Sequence, residues 1–112
     1  MGAIAVHEYL DAAGRSPFAC WFERLNAVAA ARVSTAIYRL GEGNFSNVKG
    51  VGAGVFETRI DFGPGYRLYF GKDGDTLIVL LGGSVKKDQA DAIARAIGAW
   101  NAYKASKRLV RK

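Results

Sequence analysis

The stretch Gly54-Val-Phe-Glu-Thr-Arg-Ile-Asp-Phe62, Gly63-Pro64-Gly65, Tyr66-Arg-Leu-Tyr-Phe70, then Leu77-Ile-Val-Leu-Leu81-Gly82-Gly83-Ser84-Val85-Lys86-Lys87, decides the fold. It reads as three consecutive strands. In the first, Phe56, Thr58, Ile60 and Phe62 point one way, and Val55, Glu57, Arg59 and Asp61 the other. The second repeats the pattern, with Tyr66, Leu68 and Phe70 opposed to Arg67 and Tyr69. Gly63-Pro64-Gly65 predicts a tight reversal between them. Asp73-Gly74 predicts a two-residue hairpin turn with positive φ at both positions. The third run, Thr76 to Leu81, is apolar at every position after the first, as in a strand covered on both faces.

The polar positions of this meander fall together. Glu57, Arg59, Arg67 and Tyr69 share a face, and Lys86 and Lys87 leave the end of the third strand. Strands lie about 5 Å apart, so these side chains can meet on one phosphate-sized group. The competing expectation is a solvated sheet face, with cross-strand Glu–Arg pairs contributing a few tenths of a kcal/mol.

Working outward, Ala3 to Tyr9 forms a short candidate strand carrying the only histidine, His7, which has no metal or triad partner in the sequence. Ser16-Pro17 opens a helix with an N-cap hydroxyl and a first-turn proline. Phe18, Trp21, Phe22 and Leu25 give that helix one apolar stripe. The phase breaks near Asn26, and Val33, Ala36, Ile37 and Leu40 form a second stripe that stops at Gly41 and Gly43. The two segments predict a helical hairpin covering one sheet face. Val48 and Val51 suggest a short edge strand, with Lys49 within reach of the polar cluster. Beyond the meander, Asp88 can cap a last helix. Ile93, Ile97 and Trp100 are its apolar face, and Asp91 and Arg95 form a potential i,i+4 pair.

The order β-α-α-β-β-β-β-α predicts an α+β fold, a small antiparallel-rich sheet with helices, as one domain over residues 1–112. No apolar run approaches the roughly 20 residues of a membrane span, and no secretory signal is visible, so the expectation is cytoplasmic. A single cysteine, Cys20, has no internal disulfide partner and is expected to be a buried, inert thiol. Phosphate-loop, dinucleotide, zinc and Gly-x-Ser-x-Gly signatures are absent from the sequence, and no cofactor or metal is expected. The net charge is +6. Five of the 16 bases and no acid lie in residues 104–112, leaving 11 bases against 10 acids elsewhere. This basic tail favours an anionic partner or simply aids solubility.

Several motifs together resemble the RelE/ParE toxin superfamily, and more narrowly its phage-derived, HigB-like "addiction module killer protein" branch. They are Gly54-Val-Phe-Glu-Thr-Arg-Ile60, Gly63-Pro-Gly-Tyr-Arg-Leu-Tyr-Phe70, Leu80-Leu-Gly-Gly83 and the lysines followed by Gln89, Ala90, Asp91 and Ile93. Leu40-Gly-Glu-Gly-Asn-Phe45 and Val48-Lys-Gly50 also fit, so the resemblance runs from about Pro17 to Trp100. It implies a RelE-like fold and the toxin of a type II toxin–antitoxin pair. RelE-like members cleave mRNA on the ribosome, without metal, through attack by a ribose 2′-hydroxyl on the adjacent phosphate. The implied partners are the ribosome, mRNA and a cognate antitoxin, a small helix-turn-helix protein encoded next to the toxin.

By position, Arg67 matches the phosphate-binding arginine of those toxins, and Lys86-Lys87 a second basic site. Arg59 lies on the strand that supplies further basic side chains. Glu57 is the candidate base, or else the group that orients Arg59. Tyr69, Lys49 and Lys86 are candidates for RNA contact, Tyr69 by stacking a base. The chain departs from the pattern where such toxins often carry a tyrosine early in the last helix; here stand Ala92 and Ile93. Two alternatives are a ParE-like gyrase poison without nuclease activity, and a non-catalytic module that binds RNA or protein.

Overall fold

The structure is a computed structural model that describes residues 4–110, with side chains through Lys107. Strand β1 (Ala5–Glu8) is followed by helices α1 (Pro17–Phe22) and α2 (Ala27–Gly41). Strands β2 (Val48–Gly52), β3 (Val55–Ile60), β4 (Tyr66–Asp73) and β5 (Leu77–Val85) come next. A single 3₁₀ turn (Lys86–Asp88) leads into α3 (Gln89–Val110). The element order is the one expected from the sequence.

Both N-terminal helices start on side-chain caps. Ser16 Oγ accepts from Ala19 N–H at 3.0 Å, and Asn26 Oδ1 accepts from Ala29 N–H at 2.9 Å. Each satisfies a first-turn amide that has no partner within its helix.

The five strands form one sheet in the order β1-β5-β4-β3-β2. β2 to β5 are antiparallel neighbours, whereas β1 adds to β5 in parallel. Alternation in β4 and β5 divides the core between two faces. Leu68, Phe70, Ile78 and Leu80 pack with Phe18, Ala29, Val33 and Leu40 of the helical hairpin. On the other face, Val55, Tyr69, Val79 and Leu81 pack under Ala92, Ala96 and Trp100 of α3.

Two glycines set how closely the helices approach. A Cβ on Gly71 of β4 would stand 2.5 Å from the Trp100 ring, and one on Gly83 of β5 would stand 2.4 Å from the Trp21 ring. Each indole lies flat on a strand where only hydrogen fits. The sheet is thus clamped from opposite sides by one tryptophan of α1 and one of α3.

Three expectations are corrected. The two-residue turn with both φ positive is Ala53-Gly54, joining β2 to β3 (φ 54° and 84°), and not Asp73-Gly74. Asp73 instead pairs with Leu77 as the last β4 residue, and the loop has three residues. Its carboxylate accepts from Tyr103 Oη at 2.7 Å and Lys107 Nζ at 2.5 Å, which holds the strand end against α3. Cys20 is exposed, because Phe18 takes the buried side of the short helix α1. Asp91 and Arg95 form no ion pair among the described residues. The basic tail continues α3 to Val110; Arg111 and Lys112 lie outside the described residues.

Candidate functional site

One end of the sheet collects the start of β2, the end of β3, the start of β4 and the end of β5. The register brings Lys49 opposite Glu57, Glu57 opposite Tyr69, Arg59 opposite Arg67, and Arg67 opposite Ser84. All these side chains therefore share the face that α3 covers. The middle of this face is not solvated. The alternation that made it look like a polar surface instead places Glu57, Arg67 and Tyr69 beneath the start of the last helix.

Glu57 is completely buried. Its Oε2 accepts a 2.6 Å hydrogen bond from Gln89 Nε2, at the first position of α3. Its Oε1 lies 3.8 Å from Arg67 Nε and 3.9 Å from Lys49 Nζ. Arg67 is buried as well, and its Nη1 donates to the Tyr66 carbonyl at 3.2 Å. Beside this group, the Tyr69 hydroxyl pairs with Ser84 Oγ at 3.2 Å. Burial pushes the Tyr69 phenol above its ordinary pKa, and the Glu57 charge adds to the rise while the Ser84 hydrogen bond opposes it. The result is a polar cluster of buried Glu57, Arg67, Tyr69 and Ser84 with half-buried Gln89.

Two assignments change with this geometry. Tyr69 has no exposed surface, so it does not stack a nucleobase. Glu57 has no face open to a substrate hydroxyl, and its nearest cation is Arg67 rather than Arg59. It anchors Arg67 from below instead of serving as an accessible base. Ser84 and Gln89 are the members that the sequence reading missed. The signal for Gln89 was spacing: Gln89, Ala92, Ala96, Trp100 and Tyr103 follow one helical stripe, so a glutamine at its head must face the sheet.

Around this buried base stand exposed cations. Lys49, Arg59, Lys86 and Lys87 are all exposed. Lys86 N–H donates to the Gly65 carbonyl at 2.6 Å, tying the 3₁₀ turn to the β3–β4 loop. The space over Gly65 is bounded by Lys86 Cβ and Arg67 Nη1, at 3.4 and 3.5 Å from a notional Cβ. Gly65 has φ +81°, so glycine is required there by conformation too. Lys87 is exposed on the same turn. Four exposed positive charges thus surround one buried ion pair, an arrangement suited to binding an anion.

Among the described residues, no three His, Cys, Asp or Glu side chains gather as a metal-binding group. His7 is exposed on the edge strand β1. Among the same residues, no helix is long and apolar enough to cross a membrane.

No protein-family model matches the chain. It is 41% identical over 80 residues to an uncharacterized protein of Haemophilus influenzae, a match spanning 70% of this chain and 81% of the relative. At that identity and coverage, the chain belongs to the same family as the uncharacterized Haemophilus influenzae protein.

Proposed function

We propose that the chain is a RelE-like toxin of a type II toxin–antitoxin pair, acting in the cytoplasm as a metal-independent, ribosome-associated mRNA endonuclease. The observation that carries this reading is the group of exposed cations Lys49, Arg59, Lys86 and Lys87 over the buried Arg67–Glu57 pair. In the reaction, the ribose O2′ loses its proton and bonds to the adjacent phosphorus. The P–O5′ bond breaks and O5′ takes up a proton, leaving a 2′,3′-cyclic phosphate and a 5′-hydroxyl. Extra negative charge grows on the non-bridging oxygens of the phosphorane, and fixed cations stabilise it most where water is scarce. Arg59, Lys86 and Lys87 are the groups open to that charge. Arg67 adds its field from beneath, held in place by Glu57, and Glu57 in turn by Gln89. Lys49 extends the positive surface toward the flanking strand of RNA.

The burial of Glu57 and Tyr69 favours a second reading, a ParE-like toxin that binds gyrase without nuclease chemistry, since neither group is open to act as an acid or base. The test pairs both targets. The purified chain is incubated with programmed ribosomes, and separately with gyrase and supercoiled plasmid. New mRNA ends bearing a cyclic phosphate support the nuclease; inhibited supercoiling with intact mRNA supports the gyrase poison. Expression of the chain alone is expected to arrest growth, and co-expression of a cognate antitoxin to restore it. Harmless accumulation of folded protein overturns both toxin readings.

A further inference from the structure

Outside the buried cluster, a concavity lies between α2 and the end of β3. It encloses about 490 Å³ and carries three arginines, Arg32 and Arg39 from α2 and Arg59 from β3, with one carboxylate, Asp61. None of the three arginines has an ion-pair partner among the described residues. Asn44, Ser46 and Asn47 close one side. Asn44 Oδ1 accepts from the Ser46 amide at 3.1 Å, which fixes the orientation of the side chain and leaves its NH₂ as a donor.

We infer that this groove is a backbone-binding subsite for a single-stranded RNA, continuous with the basic cluster through Arg59. The inference rests on the nuclease reading for its ligand. Arg59 stands at the boundary of the two places: its side chain lies opposite Arg67 on the α3 side of the sheet, and its position at the end of β3 borders the groove. Arg32 and Arg39 are seven residues apart, about 10 Å along the helix. A single phosphate does not bridge that span, whereas successive phosphates of one strand do. Arg32 is also held, its guanidinium lying 4.5 Å from the centre of the Phe62 ring, which lowers the entropy lost when it binds. Tyr38, 68% exposed, stands on the same helix three residues after groove-lining Thr35. Cations spaced along a track, with an exposed aromatic on the same helix, suit unstacked bases on a phosphate backbone better than an acidic peptide.

The test is fluorescence anisotropy of a short fluorescein-labelled single-stranded RNA, titrated with the whole chain across a range of salt. Arg32→Gln/Arg39→Gln is compared with the parent and with Arg24→Gln/Arg95→Gln, which removes equal charge elsewhere. The groove variant is expected to bind at least about tenfold more weakly at low salt, and to lower the log–log salt slope by about 1.4. The control variant is expected to change both much less. Arg32→Lys/Arg39→Lys, which keeps the charges, is expected to restore most of the slope. Equal weakening in the groove and control variants overturns the subsite, since only net charge then matters. Displacement of the RNA by a poly-glutamate peptide of equal charge overturns it in favour of an acidic protein partner. If the parent binds no RNA, the subsite is overturned, while cleavage on programmed ribosomes still decides the nuclease reading separately.

Discussion

Arg67 Nε lies 3.8 Å from Glu57 Oε1, both atoms are buried, and neither makes a hydrogen bond within the described residues. The two charges therefore depend on each other, with Gln89 holding the other carboxylate oxygen. Arg67 is not a solvent-facing side chain whose loss is harmless. Removing one partner of a buried pair leaves the other charge uncompensated in a poorly polarisable site. Arg67→Ala is expected to cost about 3 kcal/mol in urea unfolding. Glu57→Gln/Arg67→Met, which removes both charges, should cost at least about 1 kcal/mol less than Arg67→Ala alone. A single variant within about 0.5 kcal/mol of the parent would mean that water reaches the pair and screens it.

The tryptophan clamps make a second prediction. Gly71→Ala and Gly83→Ala each place a methyl group inside an indole, at 2.5 and 2.4 Å. Neither ring can retreat without lifting its helix from the sheet. Overpacking of this kind costs about 1–3 kcal/mol, so both variants should melt earlier than the parent. Gly50→Ala, on edge strand β2 with nothing within 4 Å of the new methyl, should stay within about 0.5 kcal/mol. Equal melting of all three would mean that the indoles do not sit flat on the strands.

Much of this architecture is legible in the chain. Alternation fixes which face of β3 and β4 each residue occupies, and Ser16-Pro17 marks the start of α1. The misreadings share a cause. Polar residues at alternate positions look like a solvent face, and only the path of α3 shows that Glu57 and Arg67 are covered. The helix itself was hard to phase, because its most buried contacts are Ala92 and Ala96, while the bulkier Ile93 and Ile97 are half-buried. Small side chains allow close approach and leave little trace in a hydrophobic pattern. The hairpin at Ala53-Gly54 was missed for a similar reason, since alanine rarely adopts positive φ.

A third prediction concerns pH. Burial, then the hydrogen bond to Asp73 and its negative charge, push the Tyr103 phenol up to about 12 from its ordinary value near 10. The folded state therefore holds this proton more tightly than the unfolded state. The resulting stabilisation is complete below pH 10 and is lost as pH rises through 12. Tyr103→Phe removes the titrating group. The stability advantage of the parent over Tyr103→Phe should be constant at neutral pH and shrink between pH 10 and 12. An advantage that persists unchanged through that window would mean that the Tyr103–Asp73 hydrogen bond does not form.

Arg59 and Arg67 face each other in the β3–β4 register, yet one is exposed and the other buried. That difference separates binding chemistry from structure. A bidentate guanidinium grips two phosphate oxygens and stabilises the charge that grows on them. Arg59 can do so directly, and among the described residues its side chain has no ion-pair partner to lose. Arg59→Ala is expected to lower mRNA cleavage on programmed ribosomes about a hundredfold, by analogy with loss of one oxyanion donor. Its stability should stay within about 0.5 kcal/mol of the parent. Arg59→Lys should recover only part of the activity, since an ammonium keeps the charge but not the planar fork. Arg67→Ala should instead lose stability as well as activity, and the activity of its folded fraction should fall less than that of Arg59→Ala, since Arg67 acts only through its field. If Arg59→Ala cleaves like the parent, the exposed arginine is not at the reacting phosphate. Undiminished gyrase inhibition by that variant, with mRNA left intact by the parent, would move the assignment to the ParE-like toxin.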